Sequence, residues 1–171
     1  MEKHYDLIVI GAGPGGYMAA LYASKAGKRT AVIERSHVGG TCSNCGCIPT
    51  KTYLHTAGLL REVKKTEAAG LHTEGMHVSM AELKKRKDAV VEELRAGIEK
   101  QLAAAKIDLY RGNGVVCGDH LVKVMPEGEE LTAEYILLAA GSEPSSLPIP
   151  GMDLPGVKNS TGILEEETVP D

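Results

Sequence analysis

The sequence has no phenylalanine and no tryptophan, and its aromatic side chains are six tyrosines. Its core must therefore rest on Leu, Ile, Val, Ala, Met and Tyr. No apolar run approaches the ~20 residues of a membrane-spanning helix. The run at 7–10 is also too short for a signal-peptide core. Membrane and secreted classes are set aside on those grounds, and the expected location is the cytoplasm. Basic residues form no long block and the net charge is −4, so nothing argues for a nucleic-acid partner. Cysteine is sparse, and three of the four cysteines fall between Cys42 and Cys47. A secreted scaffold spreads its cysteines to tie distant loops, whereas clustering points to redox or metal chemistry. The 43% of apolar residues marks a globular chain. A chain of this size can bury roughly 70% of its unfolded surface without disulfide staples.

Residues 5–10, YDLIVI, read as a short buried strand ending at Gly11. A helix is expected over 13–27, closed by Gly27, followed by a second strand, RTAVIE, at 29–34. Strand, tight turn, helix and strand in about 30 residues make a βαβ unit. A stretch rich in Gly and Cys follows at 38–50, and a helix is expected from about 50 to 69. Ser79 and Glu82 form a capping-box pattern. Leu83, Val90, Leu94, Ile98 and Leu102 then give one apolar stripe to about residue 105, with Lys84 to Lys87 on a solvated face. From residue 106 the texture turns to β, with IDLYR, LVKVM and EYILLAAG separated by turns and a hairpin loop at 125–130. Cys117 lies in this stretch and reads as a small buried apolar residue. After Gly141 the chain is proline-rich, which fits an extended connector. The expected fold is α/β: a Rossmann-like domain with a parallel central sheet, a two-helix segment and a small antiparallel β-meander.

Gly11-Ala12-Gly13-Pro14-Gly15-Gly16 matches the dinucleotide pattern G-x-G-x-x-G. Its context supports it: a strand before, a helix after, and Glu34 ending the next strand. Gly11 permits the tight turn, Gly13 lets the backbone approach a pyrophosphate, and Gly16 lets the helix pack on the sheet. The helix N-terminus offers unpaired N–H groups to phosphates, and Glu34 can accept hydrogen bonds from ribose hydroxyls. The loop by itself does not separate FAD from NAD.

The segment GGTCSNCGCIPTK, at 39–51, begins five residues after Glu34. Extended, the chain from Cys42 to Cys47 would span ~17 Å, while a disulfide needs Cα atoms ~4.4–6.8 Å apart. A link between them requires a sharp coil, which Gly46 permits. Thiols at the start of a helix ionise more readily, and the following helix can provide that setting. Two other arrangements stay open: a thioredoxin-like Cys42-x-x-Cys45 pair, or zinc held by Cys42, Cys45 and Cys47 with His37 or His55. Structural zinc sites assemble two spaced ligand pairs and no second pair is present, so no metal is expected.

The segment resembles the GGTC-x-N-x-GC-[IV]-P-x-K signature of the class I pyridine nucleotide-disulfide oxidoreductases, which include lipoamide dehydrogenase, glutathione reductase and mercuric reductase. ILLAAGSEP, at 136–144, is similar to that family's I-x-A-T-G-S-x-P segment, and STGIL, at 160–164, to the stretch before its NAD domain. IPTK and VVEELRAGIEKQL look most like bacterial lipoamide dehydrogenases.

The resemblance implies FAD as the cofactor. Cys42 is then the interchange thiol that attacks the substrate disulfide, and Cys47 the charge-transfer thiol against the flavin. Lys51 is placed near the flavin N5 edge, Glu34 on the adenosine ribose, and Gly114 by its backbone on the adenine. Gly11, Gly13, Pro14, Gly15, Gly16, Arg35, Gly40, Thr41, Gly46, Ala140 and Gly141 complete the implied cofactor site. Ala140 departs from the family's Thr, and Cys45 adds a third thiol. The implied organisation is an FAD-binding domain over 1–144, lacking a later segment of the family's FAD site, and a connector over 145–171. NAD would act only through a domain that these 171 residues do not include. The implied partner is a disulfide or dithiol such as lipoamide, with a homodimer for the full-length protein and little activity for this chain alone. A glutathione- or mercuric-reductase-like enzyme is the alternative, as is a non-catalytic dinucleotide-binding module, which has no need of the cysteine pair.

Overall fold

Two strands, each with buried residues on both faces, set the architecture. In β1 (Lys3–Ile10) and β2 (Thr30–Glu34), Ile8, Ile10, Ala31 and Ile33 enter one buried cluster while Val9 and Val32 enter another. Such strands must be covered on both sides, the usual condition of a parallel sheet. The computed structural model, which describes residues 3–169, shows that arrangement. Its six-stranded sheet has the order β3-β2-β1-β6-β5-β4, with β3 at Asp108–Arg111, β4 at Asn113–Gly118, β5 at Leu121–Met125 and β6 at Glu129–Leu138. The pairs β1–β2, β1–β6 and β2–β3 are parallel, whereas β4–β5 and β5–β6 are antiparallel.

Strand β6 serves both halves. Its Leu131 lies opposite Val122 of β5 and also opposite Lys3 of β1. The expected parallel sheet and meander are thus one continuous sheet. Val122, Val124, Leu131 and Ala133 from the meander join the cluster of Ile8 and Ile33. On the other side, Ala20 of α1 (Pro14–Lys25) and Ile98 and Leu102 of α4 (Met80–Ala104) pack with Val9 and Val32. Each fully buried aliphatic side chain of this kind contributes about 1.5–3 kcal/mol of burial energy. Tyr5 ties β1 to β3, its hydroxyl donating to Asp108 Oδ2 at 2.8 Å and lying 2.7 Å from the Tyr110 hydroxyl. Burial, then these two hydrogen bonds, hold the Tyr5 phenol well above its ordinary pKa.

Several boundaries differ from the sequence expectation. Residues 40–45, to which the sequence assigns no element, form a short helix, α2 (Gly40–Cys45). The next helix, α3, runs over Cys47–Thr66, starting three residues earlier than expected, with a 3-10 turn at Glu67–Ala69. Pro49 is tolerated there because the first helical N–H groups have no intrahelical partner to lose. Asn113–Gly118, read as turn, is strand β4. Cys117 is exposed rather than buried, because it sits at a register shift on this edge strand.

The chain divides into two compact units: Met1–Asn44 with Glu93–Glu143, and Cys45–Glu92 with Pro144–Asp171. The first carries the sheet. In the second, the 3-10 turn Gly162–Glu165 is bound to helices α3 and α4. The Tyr53 hydroxyl donates to the Leu164 carbonyl at 3.0 Å, and Lys87 Nζ lies 2.6 Å from Glu165 Oε1. Lys87 was expected on a solvated face, but it is buried, as is Val91, while Leu94 is exposed. The inward face of α4 therefore departs from the stripe read in the sequence at Lys87, Val91 and Leu94, whereas Ile98 and Leu102 are buried as expected. Among the described residues, no helix is long and apolar enough to cross a membrane.

Candidate functional site

The glycine loop is built by backbone contact. Gly11 follows β1 with φ +102°, and its N–H donates to the Ile33 carbonyl at 2.8 Å. A Cβ on Gly11 would lie 2.2 Å from the Ala139 carbonyl oxygen, and one on Gly16 only 1.9 Å from the Gly11 carbonyl oxygen. No side chain fits in either place, so α1 begins hard against the end of β1. Its N-cap is Gly13, Pro14 opens its first turn, and no side chain caps it. That leaves N–H donors and the positive dipole end directed at the loop.

Glu34 closes β2 and is buried. Its Oε2 accepts from the Ala12 N–H at 2.7 Å and its Oε1 from the Ser36 N–H at 2.9 Å. The carboxylate therefore faces the glycine loop, and each oxygen retains a further lone pair for another donor. Gly11, Glu34, Arg35, Gly114 and Ala140 line one cleft, joined by Ile10, Ile33, Gly112 and Asn113. The cleft holds about 140 Å³, less than the ~300–1,000 Å³ of a pocket enclosing a drug-sized ligand. It fits one end of a dinucleotide rather than the whole. Gly112 and Asn113 were not anticipated; the signal was present in the Gly-x-Gly spacing around Asn113, which reads equally as a turn. Arg35, at the rim, is ion-paired with Glu143.

A second close approach adds the start of the cysteine segment to the loop. A Cβ on Gly40 would lie 2.7 Å from Gly13 Cα. Gly40 and Gly13 are thus in mutual contact, and Thr41 follows directly in α2. Asn44, matched in the family signature but given no role from sequence, anchors this helix. Its Nδ2 donates to the Val38 and Gly40 carbonyls at 3.0 and 2.8 Å, and its Oδ1 accepts from Arg95 Nε.

Gly15 is exposed, and Gly16 acts by spacing the helix rather than by lining the cleft. Gly141 has φ +74° on an exposed stretch after β6. Cys42 is half-buried on α2. Gly46, Cys47 and Lys51 belong to the second unit: Gly46 precedes α3, Cys47 is its first residue, and Lys51 is exposed on its second turn. A 20-residue helix places its positive dipole end beside Cys47, where an anion is favoured. Among the described residues, no group of three or more His, Cys, Asp or Glu is placed to hold a metal ion.

Electrostatics in the second unit centre on Lys87. Burial alone would lower its pKa, but hydrogen bonds to Asp88 and Glu165 outweigh burial and hold the ammonium above its ordinary value. The same bonds hold the Asp88 and Glu165 carboxyls below theirs.

Comparison with known proteins agrees with this geometry. The family model described as pyridine nucleotide-disulphide oxidoreductase matches residues 5–170. A dihydrolipoyl dehydrogenase of Chlamydia trachomatis is 39% identical over 173 residues, covering 99% of this chain and 37% of that protein. One from Bacillus subtilis is 35% identical over 181 residues, covering 99% of this chain and 38% of its own length. The chain thus spans little more than a third of these curated relatives. Among solved structures, the HOCl-induced flavoprotein disulfide reductase RclA from Escherichia coli superposes with a TM-score of 0.80 at 34% identity, covering 96% of this chain and 34% of that one. Its Cu(II) complex superposes equally well at 36% identity, over 98% and 35%. With a family match over almost the whole chain, a buried Glu34 facing the glycine loop and the GGTCSNCGCIPTK segment in its sequence, the chain belongs to the pyridine nucleotide-disulphide oxidoreductase family.

Proposed function

We propose that this chain is the FAD-binding and thiol-bearing part of a flavoprotein disulfide reductase that acts on a dithiol such as dihydrolipoamide. The observation that carries the reading is the buried Glu34 carboxylate, whose Oε2 accepts from the Ala12 N–H at 2.7 Å at the mouth of a loop where Gly11 and Gly16 leave no room for a Cβ. The residues fit FAD. Glu34 would hold the adenosine ribose, Gly112 to Gly114 the adenine, and the N–H groups of the first turn of α1 the pyrophosphate. Gly40 and Thr41 would border the loop, and Lys51 would stabilise a reduced flavin by its charge. When bound, FAD supplies two-electron chemistry between a disulfide and a nicotinamide.

The work of the thiols follows from general disulfide exchange. With the Cys42–Cys47 disulfide formed, one thiolate of the dithiol attacks Cys42 Sγ. The Cys42–Cys47 bond breaks and Cys47 leaves as a thiolate, favoured by the N-terminus of α3. The second substrate thiol, as its thiolate, then attacks the mixed disulfide, releasing the cyclic disulfide and the Cys42 thiolate. Cys47 retains the electron pair that passes onward. We assign NAD to a domain beyond these residues, a homodimer to the full-length protein and the reducing cytoplasm as its location. The domain boundaries follow the resemblance, with FAD binding over 1–144 and a connector over 145–171. A second reading, electron delivery to a copper ion, is favoured by the likeness to a reductase solved with Cu(II).

The test is a flavin titration of the purified chain, followed by flavin fluorescence and visible absorption. Saturable FAD binding supports the reading, and binding that is unchanged in Glu34→Ala would reject it. Oxidation of dihydrolipoamide with NAD as acceptor and reduction of Cu(II) with NADH as donor, assayed separately on the flavin-loaded full-length protein, separate the two readings.

A further inference from the structure

Cys45 has no part in the chemistry above, yet it shares a helix with the interchange thiol. Helix α2 covers Gly40–Cys45, so Cys42 and Cys45 are three residues apart on one short helix. In α-helical geometry such residues have Cα atoms about 5 Å apart and project from the same face. That separation lies inside the ~4.4–6.8 Å range of disulfides. Asn44, between the two, is held by its bonds to Val38, Gly40 and Arg95, which fixes the register of the helix. Cys42 and Cys45 are both half-buried, so neither thiol is sealed inside the protein.

We propose that Cys45 is a second resolving thiol, so that the oxidised loop exists as two disulfide isomers, Cys42–Cys47 and Cys42–Cys45. The proposal rests on the reading of Cys42 and Cys47 as the redox pair. In the exchange the Cys45 thiolate attacks Cys42 Sγ. The Cys42–Cys45 bond forms as the Cys42–Cys47 bond breaks, and Cys47 leaves as the thiolate. One disulfide and one thiolate are present before and after, so no oxidant or reductant is consumed. The second isomer is a resting form in which Cys47 is reduced while the loop remains oxidised. It separates the thiol that meets substrate from the thiol that hands electrons on. The closed loops run over 42–45 and 42–47, both short and similar in length, so neither link is set aside by chain closure and both are expected at detectable levels.

The test is disulfide mapping. The chain is oxidised with oxidised glutathione, quenched in acid, alkylated with N-ethylmaleimide, digested and analysed by mass spectrometry. The unsubstituted chain is expected to give both links, Cys47→Ser only Cys42–Cys45, and Cys45→Ser only Cys42–Cys47. FAD-loaded oxidised chain is expected to show long-wavelength thiolate-to-flavin absorption before any reductant is added, and Cys45→Ser to lose it. Full alkylation of Cys45 in both the unsubstituted chain and Cys47→Ser overturns the proposal. Failure of Cys45→Ser to form a Cys42–Cys47 link is a different result: it rejects the redox-pair reading, and the isomer with it.

Discussion

In the sheet-bearing unit, Ile8, Val9, Val32, Val122 and Leu131 are buried to within a few percent, and helix α1 is packed so closely on β1 that Gly11 and Gly16 have no room for a side chain. In the second unit the deeply buried side chains include Lys87, Val91 and Leu164, while Leu54, Leu59, Leu147, Ile149 and Leu154 are exposed. The first unit is held by apolar burial on both faces of a sheet, and the second depends more on a polar latch of Lys87, Glu165 and Tyr53. The difference teaches which part is pre-organised. The glycine loop sits on rigid backbone, where a Cβ at Gly11 or Gly16 would meet a carbonyl oxygen, and Cys47 opens a helix in the unit with less apolar support. Local openings start where buried apolar contact is sparse, so the second unit is expected to open first.

The comparison breaks most readily at Gly16. Gly16→Ala places a Cβ against the Gly11 carbonyl oxygen, and is expected to cost roughly 3–4 kcal/mol of the first unit's stability, in the range of severe backbone clashes. A denaturant midpoint close to that of the unsubstituted chain would show that the loop is not rigid. Glu34→Ala removes a buried acceptor from Ala12 and Ser36. It should weaken FAD binding by roughly 1.5–3 kcal/mol, the scale of hydrogen bonds to charged groups, as read by flavin titration. Glu165→Ala should cost less, about 1–2 kcal/mol, because Glu165 is half-exposed and solvent screens its pair with Lys87. Hydrogen exchange should then rise in α3 and in residues 160–166 while the sheet keeps its protection. Equal loss of protection in both units would erase the distinction between them.

The smallest effect is on pH. The Asp88 and Glu165 carboxyls are held below their ordinary values by the Lys87 hydrogen bonds, with burial opposing. Their contribution is present above the unfolded carboxyl pKa of about 4 and is lost as pH falls through the lower folded values. The Lys87 ammonium, held above its ordinary value, contributes below about pH 10 and loses its part only above that. Proteolysis of residues 144–169 is therefore expected to be constant from pH 8 to pH 5 and to accelerate only on further acidification. A change near neutrality would show that another group governs the latch.

The geometry of the glycine loop was legible in sequence because it is written in backbone. Only Gly fits at Gly11 and Gly16, and an acid at the end of the second strand, Glu34, must face them. Strand β4 and helix α2 were not legible. NGVVCG has the composition of a turn, and six residues from Gly40 to Cys45 are too few to show a helical period. In α4 the chain offers apolar residues at both Val90 and Val91, and the structure buries Val91 and exposes Leu94 while keeping Ile98 and Leu102 inside, a local departure that helical spacing alone does not show. Lys87 sits in a run of basic residues and its partner Glu165 is far away in sequence, so only tertiary structure reveals that it is buried. Gly114 was placed from the family resemblance; its closeness to Ile10 depends on how β4 crosses the end of β1.

The central claim is that Cys47 works against a flavin held by the Glu34 loop. It is tested most directly by anaerobic titration of the FAD-loaded chain with a two-electron reductant, recorded across the visible spectrum beside the Cys47→Ser variant. The account predicts that long-wavelength absorption grows with the first equivalent, before the flavin bleaches, and is absent in Cys47→Ser. Direct bleaching of the flavin with no such absorption in the unsubstituted chain would contradict it.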